Sequence, residues 1–108
     1  MGNGILMPKS LDLFVRAICA DYPRRREVIE EHNASRRVEN EMKYYNYKLF
    51  DAASEIVGER MAEAFIQEIG ERIGYTNSSI CCMSETTYKT RKQETVINIA
   101  KRLYLIDG

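Results

Sequence analysis

Side chains able to make and break bonds are few in this chain. Its 108 residues include one histidine, His32, and three cysteines, Cys19, Cys81 and Cys82. A Ser-His-Asp or Cys-His arrangement cannot be built without His32. That residue lies in the polar stretch His32-Asn33-Ala34-Ser35, where a solvated or helix-capping histidine is expected. The cysteines have no C-x-x-C spacing, and an adjacent pair strains the peptide bond between them. One histidine also leaves a structural zinc set short of ligands. All three cysteines therefore read as reduced, buried, small hydrophobes. The carboxylates Glu55, Glu59 and Glu63, with Glu68 and Glu71 beyond them, invite comparison with a di-metal site. Their i, i+4 spacing strings the first three along one helix stripe, and the Glu-x-x-His partners are missing. They read as a solvated acidic face. The sequence has no Gly-rich phosphate loop. The expectation is no catalytic residue, no metal and no cofactor, so not an enzyme.

A different chemistry is suggested between Ile66 and Leu105, where two overlapping patterns resemble a helix-turn-helix. In the first, Ile69-Gly70 supplies an apolar and a small residue where two helices must touch. Ile73-Gly74 supplies a helix end and a turn glycine, and Thr76, Asn77, Ser78 and Ser79 open a second helix. In the second, a short helix from about Asn77 to Cys82 is followed by a turn at Met83-Ser84. A helix capped by Ser84 then carries Glu85, Thr86, Thr87, Lys89, Thr90, Arg91 and Lys92, with Tyr88 turned to the core. Hydroxyls and a helix N-terminus suit phosphates, and Lys and Arg suit phosphates or guanine edges. Charge favours the second register. From Ser84 to Gly108 five basic residues (Lys89, Arg91, Lys92, Lys101, Arg102) face three acidic ones, whereas from Phe50 to Met83 two basic residues face six acidic ones.

The run Ser84-Glu85-Thr86-Thr87-Tyr88-Lys89-Thr90-Arg91-Lys92-Gln93-Glu94, followed by Ile99-Ala100-Lys101-Arg102-Leu103-Tyr104-Leu105-Ile106, resembles the C-terminal end of ArpU/RinA-type phage transcriptional regulators. Those proteins are similar in turn to the helix-turn-helix of sigma-factor region 4. The resemblance implies a sequence-specific, double-stranded DNA-binding regulator of transcription of phage or mobile-element type. In it a helical N-terminal segment precedes a DNA-binding unit. The sequence departs from the family pattern in one place: Gly74 stands ten residues before Ser84, and Thr76 to Met83 reads as an insertion.

The elements that must position these residues are helices. Prolines are confined to Pro8 and Pro23, strand-like alternation is absent, and 3.6-residue periodicity recurs. An all-α fold follows, a small helical bundle with a C-terminal helix-turn-helix-like unit. Ser10 is placed to cap a first helix from Leu11 to about Ala20 with Leu11, Phe14, Val15 and Ile18 on one face. Asp21-Tyr22-Pro23 ends it, and Pro23 suits the first turn of a second helix. Arg24, Arg25, Arg26, Arg36 and Arg37 alternate with glutamates, which favours i, i+4 ion pairs over phosphate contacts. Ser35 is the next cap. After it Val38, Met42, Tyr45, Leu49, Ala52 and Ile56 form a heptad seam, which serves either a homodimer or an antiparallel neighbour in the same chain. Gly58 breaks the pattern. Met61, Ala64, Phe65, Ile69 and Ile73 then share a face, and the last helix runs to about Leu105. The expected division is an N-terminal helical segment, 1–57, with a dimerisation helix at 35–57, and a DNA-binding unit, 58–108.

Composition bounds the rest. Hydrophobic residues make up 44% and charged residues 30%, which excludes disorder on compositional grounds. Lys+Arg and Asp+Glu are 16 each, which excludes a polybasic nucleic-acid binder but not a local basic face. No apolar run spans a bilayer and no secretory signal is visible, so the chain reads as cytoplasmic. The competing functional class is a small helical protein-interaction module that never touches DNA. The two differ in whether Lys89, Arg91, Lys92, Lys101 and Arg102 converge on one convex face.

Overall fold

The computed structural model describes residues 7–80 and 83–107, and over these the protein is all-α. Five α-helices follow one another: α1 Lys9–Ala20, α2 Tyr22–Glu31, α3 Arg36–Val57, α4 Glu59–Glu71 and α5 Glu85–Arg102. A 3-10 turn, Tyr75–Asn77, lies between α4 and α5. Cys81 and Cys82, expected to be buried, lie outside the described residues.

Local chemistry sets most of the boundaries. Ser35 caps α3 by accepting from the Val38 N–H at 3.3 Å, and Ser84 caps α5 by accepting from the Thr87 N–H at 3.2 Å. Gly58, at φ +87, ends α3 and starts α4, a conformation that side-chain-bearing residues rarely adopt. Two expectations at the first helix are corrected. Pro8, not Ser10, stands at its N-terminus, where the Pro8 carbonyl accepts from Leu11 and Asp12. Tyr22 belongs to α2, because Pro23 at the second helical position displaces no helix hydrogen bond and only Asp21 separates the helices. The last helix stops at Arg102 rather than Leu105. Tyr104 takes a left-handed conformation there, and the Leu105 N–H turns back to the Ala100 carbonyl.

The core joins residues from both halves of the chain. Val15 and Cys19 of α1, Leu49, Ala52 and Ala53 of α3, Ile66 and Ile69 of α4, and Val96, Ile99 and Ala100 of α5 form one fully buried cluster. Residue 57 is therefore a helix boundary inside a shared core. A second cluster, Phe65, Ile80 and Tyr88, lies beside it, with the Phe65 and Tyr88 rings edge-on at 5.7 Å. Phe14, expected on the inner face of α1, is 50% exposed.

The heptad seam divides in two. Leu49 and Ala52 are fully buried in the protein's own core, while Val38 and Tyr45 are exposed and Met42 and Ile56 half-buried. A dimer along all six positions is thus closed off by Leu49 and Ala52, and Val38, Met42 and Tyr45 form the accessible run of the seam. The cause is length: α3 runs 22 residues, well past the helices that cover its second half.

Candidate nucleic-acid interface

The first half of α5 is held by its inner face. Tyr88 is 1% exposed, and its hydroxyl donates to Glu68 of α4 at 2.6 Å. One turn on, the Lys92 ammonium donates to the Ile73 carbonyl and lies 5.1 Å from the Tyr88 ring centre. Burial, and then the Glu68 carboxylate, push the Tyr88 hydroxyl up to about 12. Burial raises the Glu68 carboxyl as well, but hydrogen bonds from Tyr88, Ser78 and Ser79 outweigh it and hold the group below its ordinary value.

Glu68 also decides the shape of the segment before α5. Its two oxygens accept from the Ser78 hydroxyl at 2.7 Å, the Ser79 N–H at 2.9 Å and the Ser79 hydroxyl at 3.0 Å. The Ser78 oxygen accepts from the Ile80 N–H at 2.9 Å. Side chains thus take the backbone donors that a helix would use. Among the described residues neither the second helix of the first pattern nor the first helix of the second forms. Thr76 and Asn77 occupy the 3-10 turn, Ser78 to Ile80 are non-helical, and 13 residues, 72–84, link α4 to α5. A helix-turn-helix uses about three or four. Gly74 is not the turn glycine either: it has φ −88, and Arg72 takes the left-handed position at φ +59. Gly70, in contrast, does mark a close helix contact, with the C-terminus of α1. A Cβ there would lie 2.5 Å from the Ala20 Cα.

The outer face of α5 carries a stripe of uncovered side chains, Thr86, Lys89, Thr90 and Gln93, at i, i+3, i+4 and i+7. The Lys89 side chain is 69% exposed and paired to Glu85 at 2.9 Å. Gln93 is not among the residues expected from the sequence, although its i+7 spacing from Thr86 places it on the same stripe. The remaining candidates are engaged elsewhere. Ser84 and Thr87 spend their polar groups on the cap, Arg91 pairs with Glu94 at 2.8 Å, and Lys92 turns inward. Of the alternative set, Ser78 and Ser79 are tied to Glu68, which leaves Thr76 and Asn77 exposed.

The five cations of the C-terminal region do not converge. Each residue turns the helix by about 100°, so Arg91 and Arg102 point toward the α3 flank and Lys89 away from it. Arg102 is neutralised by Asp51 and Glu55 of α3, and Asn98 donates to Glu55 at 2.9 Å. The acidic stripe is likewise used structurally, since Glu63 accepts from the Tyr22 hydroxyl at 2.9 Å and from Arg26 at 2.8 Å.

Several arginines are structural. Arg25 is buried and donates to Asn46, Asp21 and the Ile18 carbonyl. Arg24 pairs with Asp21, and Arg26 pairs with Glu30 at i, i+4. His32 takes the left-handed C-terminal position of α2, exposed, 3.1 Å from Glu39. The Cys19 thiol is buried and pushed up to about 12, so it is protonated at neutral pH. Among the described residues no three His, Cys, Asp or Glu side chains gather as a metal site, and no helix is long and apolar enough to cross a membrane. Comparison with protein-family models, with characterised proteins and with solved structures finds no match.

Proposed function

We propose that the protein binds double-stranded DNA in a sequence-dependent manner, as a transcriptional regulator of phage or mobile-element type. It would do so through the outer face of the first half of α5. The observation that carries this is the stripe Thr86, Lys89, Thr90 and Gln93, exposed on a helix whose opposite face is fixed by Tyr88 and Lys92. These are residue types that read base edges. Lys suits guanine O6 and N7, Gln pairs bidentately with adenine, and the Thr methyl packs on the thymine methyl. The resemblance of residues 84–94 to ArpU/RinA-type regulators supports the same reading. The long connection before α5 distinguishes it from a helix-turn-helix, so α5 would act as a single presented helix.

The test is fluorescence anisotropy with a randomised duplex at about 50 and 200 mM salt. Affinity should fall steeply with salt. Enrichment of bound duplexes should return a preferred sequence, and Gln93→Ala should relax it at one position by about 1–3 kcal/mol. Folded protein that fails to bind at low salt would overturn the reading.

A second reading, a protein-interaction module, is favoured by the first half of α3. Val38, Tyr44, Tyr45 and Tyr47 are all exposed there, Tyr47 to 66%. Tyr47 also borders a groove of about 340 Å³ between α2 and α3 that is lined by Tyr22, Ile29 and Phe50. A homodimer through Val38, Met42 and Tyr45 belongs to this reading. Sedimentation velocity across a hundredfold range of concentration, with Tyr45→Glu as control, tests it. A constant monomer would exclude the dimer.

A further inference from the structure

A cleft of about 220 Å³ lies between α1 and the first half of α5. Three cations line it, Arg16 from α1 and Lys89 and Lys92 from α5, together with Tyr75, Gln93 and the backbone of Gly74. No carboxylate is among its lining residues, although acidic and basic residues are equal in number over the chain. Arg16 uses its Nε on Asp12 at 3.0 Å, and among the described residues its terminal nitrogens donate to nothing. Lys92 gives one N–H to the Ile73 carbonyl, which leaves two. Burial, then the Arg16 guanidinium, hold the Lys92 ammonium below the ordinary lysine value. Glu68 offsets part of this at Lys92 and Glu85 pairs with Lys89, so the charge that an anion in the cleft would relieve is that between Arg16 and Lys92.

We propose that this cleft is a phosphate site, in which Arg16, Lys92 and Lys89 hold one phosphodiester of a duplex whose base edges meet the neighbouring stripe of α5. The inference rests on the DNA reading for the source of the phosphate, but the anion chemistry stands apart from it. Gln93 and Lys89 border both surfaces, so a phosphate seated in the cleft fixes the register in which the stripe meets bases. Arg16 supplies charge and no sequence information.

Two probes separate the claims: inorganic phosphate, and a randomised duplex of about 20 base pairs. The full chain is titrated with phosphate against a chloride control of equal ionic strength, and backbone amide resonances are followed by NMR. The variant is Arg16→Gln, which loses only an i, i+4 pair on a partly exposed face, and thermal melting checks its fold. Phosphate should shift the Gly74 and Tyr75 amides in the parent and not in the variant. The slope of log affinity against log salt for the duplex should fall by about one in the variant, with binding weakened alike for all sequences. If the duplex binds but the slope and the amides do not respond, the cleft proposal is overturned and the DNA reading survives. If phosphate shifts the amides through Arg16 and no duplex binds, the DNA reading falls and the site is one for a free phosphate anion. If neither probe binds, both fall. Lys92→Met serves as a second variant. Should it melt early through loss of its bond to Ile73, the parent titration and Arg16→Gln still decide.

Discussion

Glu68 is the residue on which the candidate site depends most. It is the one buried carboxylate among the described residues, and it accepts from three side chains and one backbone N–H. Charge-assisted hydrogen bonds of this kind contribute more than neutral ones. Glu68→Gln should cost about 2 kcal/mol at neutral pH by chemical denaturation. Because the folded-state value is depressed, this stability is fully present above the unfolded value and lost as pH falls through the folded one. The gap between parent and variant should therefore be flat from about pH 6 to 8 and close as pH drops below about 4. A gap independent of pH would show that the charge contributes nothing. Ser54 offers the opposite case: its hydroxyl is buried and has no partner among the described residues, so Ser54→Ala should leave the melting temperature unchanged or raise it. Legibility at this scale follows sequence distance. The caps Ser35 and Ser84 are readable because each bonds three residues ahead, whereas Glu68 meets partners 10, 11 and 20 residues away.

At the scale of elements, the tightest constraint is the approach of α1 to α4. The Gly70 Cα faces the backbone of Cys19 and Ala20, and no flexible side chain is there to yield. Gly70→Ala should destabilise by about 3 kcal/mol, the upper range for overpacking, read as a lowered denaturation midpoint at constant m-value. The sequence pointed to Gly70 as a helix contact but assigned it to the wrong partner, since a small residue reveals closeness and not what is close. The end of α4 makes the complementary prediction. Arg72 occupies a left-handed position that glycine adopts without steric cost, so Arg72→Gly should stabilise by about 1 kcal/mol. The segment 72–84 departs from its helical expectation for a physical reason. Its Thr, Asn and Ser residues open helices when their side chains cap the following backbone, and here Ser78 and Ser79 bond to Glu68 instead. The outward stripe of α5 was legible in part. Periodicity with Tyr88 inward implies it, but the expected basic face was a count along the chain, and five cations spread around a helix do not make a face.

For the whole molecule, the all-α class was readable because periodicity and the shortage of prolines and β-branched runs agree at every segment. Which faces meet was not. The heptad seam is real as a pattern, yet its second half is interior and its first half belongs to a projecting hairpin of α2 and α3. From residue 26 to residue 45 no side chain is fully buried, and the hairpin is pinned at its base by Tyr22, Arg25 and Asn46. That arrangement divides the molecule into two units of unequal cooperativity. The distal hairpin can open while the cluster around Leu49, Ile66 and Ile99 stays closed, so amide protons of 36–44 should exchange through a sub-global opening and those of 49–53 only through global unfolding. Hydrogen exchange under rising denaturant would show two isotherms that merge only near the midpoint. A single isotherm for all of α3 would mean that the hairpin unfolds with the core. If the two isotherms are seen, a partner seated on Tyr45 and Tyr47 would be read at a distance as slower exchange along the first half of α3, with the second half unmoved.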